Sequence, residues 1–138
     1  MIKVGEGTTF KTIEEASDSF KWNPFINIDG KPTREIKATF PIGGNYYAWF
    51  PYDITGKPHK GWIDFLDESK TEMIVSKENW SEKKRKEKFE NDKSRKFVTF
   101  AKINKQDEYE FIGIFELVPE DENIFLKYKR TSEKFDGI

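Results

Sequence analysis

The chain contains no cysteine, a single histidine (His59) and no apolar run near the roughly 20 residues a membrane-spanning helix requires. Its 24 Lys and Arg almost cancel its 25 Asp and Glu, leaving a formal net charge of −1. Each shortage removes a class of function. Without cysteine there is no disulfide, no thiolate-held zinc and no Cys-His nucleophile, so the 138 residues must be held by packing. One histidine cannot build a His-rich metal cluster within one chain. A Ser-His-Asp triad would need His59, which falls in the basic loop Lys57-Pro58-His59-Lys60-Gly61 and is expected at the surface. The glycines form neither G-x-G-x-x-G nor G-x-x-x-x-G-K-[ST], so no phosphate-cradling loop is present. Met1 to Glu6 contain no apolar leader, and the expectation is a cytoplasmic protein with no membrane contact and no bound cofactor.

What the chain does have is aromatic side chains, 16% of all residues against 36% for hydrophobic residues as a whole. Phe, Tyr and Trp must therefore supply much of the core. Thr12-Ile13-Glu14-Glu15 has the form of a capping box, and Ile13, Ala16 and Phe20 follow at helical spacing, which predicts a helix over 12–21 ended by Asn23-Pro24. After Pro24 the period changes to two. Arg34 to Phe40, Tyr46 to Tyr52, Trp62 to Leu66, Thr71 to Val75, Phe97 to Ile103, Tyr109 to Leu117 and Ile124 to Arg130 are expected strands. Turns are expected at Gly43-Gly44-Asn45, Asp67 to Lys70, Asn104 to Glu108 and Asp121 to Asn123, and the tail Thr131 to Ile138 is expected to fray. The strands from Phe97 and Tyr109 should pair antiparallel, with Phe111, Gly113 and Phe115 on one face. Strands arriving as hairpins predict one domain over 1–138: a mainly β (α+β) fold, a small antiparallel barrel over about 33–130 with one or two peripheral helices.

Two features bear on function. On the strand from Tyr46 to Tyr52, alternation puts Tyr46, Ala48, Phe50 and Tyr52 on one face and Tyr47 and Trp49 on the other. One set can be core; the other either belongs to an aromatic-rich barrel core as well, or lines a concave site where a flat ligand such as a nucleobase stacks between rings. The second feature is the charged insert 76–96. From Glu82 to Lys96 there are eight basic and four acidic residues, an excess of four positive charges. A solvated face, or a patch that meets phosphates, would both fit. A magnesium-dependent nuclease of the PD-(D/E)xK kind could use Asp53 with Glu68-Ser69-Lys70, but that triplet falls in an expected hairpin turn.

Phe97-Val98-Thr99-Phe100-Ala101-Lys102, the aromatic-x-F-x-G-x-aromatic strand from Tyr109, and Tyr128-Lys129-Arg130 together resemble the closing part of PUA-like barrels. Tyr46-Tyr47-Ala48-Trp49-Phe50-Pro51 and Gly61-Trp62-Ile63 extend the likeness, which is strongest to the SRA- and EVE-type modules found with restriction nucleases. The resemblance implies a non-catalytic module that binds DNA, or RNA, and reads a modified base flipped into an aromatic pocket. A nuclease on a partner chain or another domain would do the cutting. It also implies Tyr47, Trp49 and Trp62 as pocket rings and Asp64 as the group meeting the base edge. The phosphate-binding candidates are Lys84, Arg85, Lys86 and Lys88 on the insert, with Lys129 and Arg130 on the last strand. The near-neutral charge keeps a second reading open, a protein-interaction module of a phage or mobile-element defence or anti-defence system. The nuclease is third.

Overall fold

The computed structural model describes residues 1–103, 107–119 and 124–137. Two helices and ten strands follow in the order β1 (Ile2–Lys3), β2 (Thr9–Phe10), α1 (Ile13–Phe20), β3 (Thr39–Gly43), β4 (Tyr46–Trp49), β5 (Trp62–Leu66) and β6 (Glu72–Lys77). Then come α2 (Glu82–Asp92), β7 (Lys96–Lys102), β8 (Tyr109–Leu117), β9 (Leu126–Ser132) and β10 (Lys134–Phe135). The turn expected at 121–123 and most of that at 104–108 lie outside the described residues.

Local signals account for most of these elements. Thr12 caps α1, its Oγ1 accepting the Glu15 amide at 3.0 Å, while the Glu15 carboxylate reaches back to the Lys11 amide at 3.1 Å. Lys21 ends the helix at φ 61°, and the Trp22 amide closes the last turn onto the Ser17 carbonyl. The insert is a helix, α2, capped by Ser81, whose Oγ accepts the Lys84 amide. Asp67 organises the β5–β6 turn, since its carboxylate accepts the Thr71 amide at 2.8 Å and the Glu72 amide at 3.1 Å. The segment expected as a strand from Arg34 becomes extended and paired only at Thr39.

The main sheet runs β3-β4-β7-β8-β9-β6-β5, with β2 added beside β8, and its hydrogen-bonded path stays open between β3 and β5. The fold is thus β-rich α+β. One departure from the expected antiparallel order is the β4–β7 pair, which is parallel, Tyr46 facing Lys96 and Trp49 facing Thr99. Parallel neighbours require a long crossover, supplied here by everything between residues 50 and 95. A second departure is at the carboxyl end. Instead of fraying, Lys134–Phe135 pairs with Ile2–Lys3, and Phe135 is buried.

Both faces of the sheet are core. One cluster gathers Phe10, Ala16, Phe40, Ala48, Phe50, Phe100 and Phe111 on the α1 side; the other holds Trp49, Met73, Phe97, Ile112, Phe115 and Tyr128, with Trp80 and Phe89 from around α2 packed against it. Strict alternation along β8 would not achieve this. Thr99 pairs with Gly113 and Phe100 with Phe111, so Ile112 is an extra residue, and the phase of the strand flips there. Phe111 and Ile114 enter the first cluster, and Ile112 and Phe115 the second. The expectation that Phe111 and Phe115 share a face fails because of this bulge.

Gly113 sits at the flip with φ +123°, a conformation that side chains rarely adopt. A Cβ there would land on the Arg130 methylenes and 2.8 Å from the Ser132 carbonyl oxygen, so the neighbour it must clear is the β9 strand. Gly113→Val should therefore cost about 2 kcal/mol or more, from overpacking and backbone strain together. Urea denaturation of the two proteins measures it, and equal midpoints would contradict the bulge.

Candidate nucleotide-binding cavity

The two open edges of the sheet border one cavity of about 610 Å³. Thr39 of β3 stands on one side and Trp62 and Asp64 of β5 on the other, with Trp49 and Phe50 at the end of β4 and Val75 of β6 lining it as well. The chain leaving β4 crosses the seam. Leu66 donates to the Ile54 carbonyl and Gly56 to that of Asp64, so the segment runs along the free edge of β5. The loop then folds back: the His59 amide donates to the Trp62 carbonyl at 2.8 Å and the Trp62 amide to that of His59 at 2.9 Å. His59 to Trp62 is therefore a tight turn tied by both bonds of one residue pair, and it holds His59 at the cavity. The imidazole stacks on Tyr52, with ring centroids 3.5 Å apart and planes 11° from parallel.

Three of the four pocket residues inferred from sequence meet here. Trp49, Trp62 and Asp64 line the cavity; Tyr47 does not. Tyr47 shares a face with Trp49 but lies further from the carboxyl end of β4, where it packs on Phe97 and lies under the Arg95 guanidinium, 4.4 Å from its ring centroid. Trp49 is a divided residue, nearly buried against Phe97 and Tyr128 and still presenting an edge to the cavity. Tyr52, His59 and Tyr109 add to the aromatic lining. The sequence signal for His59 was present in the Gly61-Trp62 turn that returns the loop to β5, but it lacked a partner until Tyr52 was placed.

Three carboxylates line the cavity, Glu35, Asp53 and Asp64, and Asp53 and Asp64 are shifted in opposite directions. Asp53 lies below the usual carboxylate range, chiefly through its hydrogen bonds from the Thr55 hydroxyl, at 2.5 Å, and amide, at 2.8 Å. Asp64 is pushed up to about 6, because burial disfavours its charge more than Lys88 restores it, and the Asp53 charge adds to the rise. Glu68 and Lys70 stand exposed on the β5–β6 turn and do not line the cavity with Asp53, so the nuclease triplet is not assembled. Among the described residues no group of three or more His, Cys, Asp or Glu could hold a metal.

The inferred phosphate-binding residues divide. Lys84 and Lys86 are exposed on α2, paired with Glu87 at 3.8 Å and Glu82 at 3.1 Å, pairings weak enough in water to be exchanged. Arg85 points inward and is buried. Lys88 is turned toward Asp92 and the cavity. Lys129 is exposed on β9, whereas Arg130 covers Gly113 and pairs with Glu133 at 3.0 Å. What secures α2 is Asp92, 1% exposed, which accepts from the Tyr128 hydroxyl at 2.6 Å and pairs with Lys88 at 2.9 Å and Arg95 at 3.5 Å. Burial and the Asp92 charge raise the Tyr128 hydroxyl well above its ordinary pKa, so it remains a donor.

The chain matches the SET and RING associated domain family over residues 1–137, and it belongs to that family. Among solved structures it is similar to the 5-hydroxymethylcytosine-specific restriction enzyme AbaSI, with a TM-score of 0.63 and 20% identity over 96% of this chain and 41% of that one. The chain thus spans about two-fifths of that enzyme's length. No curated protein is significantly similar. Among the described residues no helix is long and apolar enough to cross a membrane.

The raised Asp64 gives a stability prediction with a definite sign. Its folded value, about 6, exceeds the ordinary 3.8, so the folded state binds more protons between those values and stability falls as pH rises through that window. Above pH 6 the burial cost is fully present. Asp64→Asn removes it and should stabilise the protein by about 1–3 kcal/mol at pH 8, with the advantage shrinking toward pH 4. Thermal denaturation of both proteins across pH 4 to 8 checks this, and a pH-independent difference would mean that Asp64 is not desolvated.

Proposed function

We propose that this chain is a non-catalytic DNA-binding module that reads a modified cytosine flipped into the cavity between Trp49, Tyr52, His59 and Trp62, with Asp64 meeting the base edge. The observation that carries the reading is a buried carboxylate, Asp64, in a cavity that the rings of Trp49, Tyr52, His59 and Trp62 also line. Flat rings stack on any base and supply affinity without discrimination. The hydrogen-bonding edge discriminates. Cytosine offers an amino donor beside a ring acceptor; a carboxylate accepts from the first, and a protonated carboxyl satisfies both. Membership of the SET and RING associated family and the likeness to an enzyme specific for 5-hydroxymethylcytosine support a 5-substituted cytosine as the base. Cutting then falls to a nuclease carried by another domain or chain, and the exposed lysines of α2 hold the backbone.

Tyr52 is the cleanest probe because its ring is 60% exposed and carries little of the core. Tyr52→Ala and Trp62→Ala should each weaken binding of a hydroxymethylcytosine duplex about tenfold, the stacking of one base being typically about 1–3 kcal/mol. The loss on an unmodified duplex should be smaller, since backbone contacts serve both. Fluorescence anisotropy at low salt measures this. A wild type that binds neither duplex would sink the proposal, and capture of a protein partner by the same aromatic face would then favour the interaction module.

A separate prediction concerns α2. Replacing Lys83, Lys84 and Lys86 with Gln should weaken both duplexes equally and flatten the salt dependence by about 0.9 in log-log slope for each phosphate that the helix no longer neutralises. An unchanged slope would return this face of the helix to solvent.

A further inference from the structure

A second hollow of about 460 Å³ lies beside the first, between β6, the residues around Trp80 and α2. Trp62 and Lys88 line both, so together they form the partition between the two spaces. We propose that Lys88 is a positioning residue of the base cavity: held from behind by Asp92, it braces the Trp62 ring and stands against Asp64, so that α2 contributes to base discrimination and not only to backbone attraction. This rests on the base-reading function above and names a residue that determines its specificity.

The geometry is a chain of interactions from core to cavity. Tyr128 of β9 donates to Asp92, and that carboxylate group also meets the Lys88 ammonium at 2.9 Å. An ammonium anchored to a carboxylate 1% exposed has little freedom to follow a phosphate. Lys88 Nζ lies 5.5 Å from the Trp62 ring centroid, Lys77 Nζ lies 4.8 Å from it, and Trp80 meets the ring edge-on at 5.6 Å. The indole is thus fixed by two cations and a second indole. Around Asp64 the charged and titratable groups are Asp53, His59 and Lys60 from the β4–β5 loop, Glu35 and Lys37 from the segment before β3, and Lys88 from α2, with the hydroxyls of Tyr52, Tyr109 and Tyr128. Of these, Lys88 is the one whose charge opposes the effect of burial on Asp64, while Asp53 reinforces it. Removing the Lys88 charge therefore shifts Asp64 further toward its neutral form and releases one side of Trp62.

The test uses the whole chain with Lys88→Met, which keeps the methylenes and drops the charge, and Lys88→Arg, which keeps the charge. In the free protein, the Asp64 carboxyl followed by NMR against pH should titrate about half a unit or more higher in Lys88→Met. The Trp62 indole N–H resonance should move as well, and Lys88→Arg should hold both near their wild-type positions. With oligonucleotides, Lys88→Met should lose about tenfold of the preference for a hydroxymethylcytosine duplex over the plain one, at an unchanged salt slope. An Asp64 midpoint and a Trp62 resonance that ignore Lys88→Met overturn the proposal. Equal losses on both duplexes with a flattened slope also overturn it, because they mark a phosphate contact. A wild type without preference for the modified duplex overturns the base-reading function instead, and the free-protein titration still decides the role of Lys88.

Discussion

A sheet whose central strands bury both faces places a severe demand on sequence, and the rest of this structure follows from meeting it. β7 and β8 must feed large side chains to two cores, and the covers on those cores are unequal: a capped amphipathic α1 on one side, an almost wholly polar α2 on the other. The bulge at Ile112-Gly113 resolves the demand by changing which residues face which core partway along β8. Because the path of strands does not close, β3 and β5 remain as edges that do not pair with each other, and the returning chain from Pro51 to Gly61 is tied along β5. The cavity is the space left at that seam.

Elements governed by neighbours in sequence were legible. The cap at Thr12, the Asp67 turn, the β5–β6 hairpin and the antiparallel β7–β8 pair all rest on interactions within a few residues or on simple alternation. The parallel β4–β7 pair was not legible, because no local pattern records which strands meet after a crossover of about 45 residues. Neither was the exchange of faces at Gly113, since a glycine between aromatics looks the same in a regular strand. Of the four pocket candidates that the family resemblance implied, Trp49, Trp62 and Asp64 line the cavity and Tyr47 does not. With two cores, both faces are occupied, and only the strand's carboxyl end reaches the cavity.

The polar helix illustrates a different limit. Composition marks residues 82 to 96 as charged but cannot separate a cation facing water from one held in the interior. Here that separation is made by Asp92 and Tyr128, 36 residues apart, whose hydrogen bond exists only once β9 is in the sheet. Neighbouring cations on one helix thereby differ in their surroundings: Lys84 and Lys86 stay in solvent, Arg85 turns inward, and Lys88 is drawn to the partition.

The stack of His59 on Tyr52 gives the cavity an occupant of its own. An aromatic ring already lies flat against the tyrosine at the mouth, and its backbone is held by the two hydrogen bonds of the His59–Trp62 pair. A planar guest that takes the shared face must first part the two rings, whereas one that packs on the outer side of the imidazole lengthens the stack and leaves the loop in place. The loop is thereby part of the wall that a guest meets, and its position is set by the same tyrosine ring on which a guest would stack.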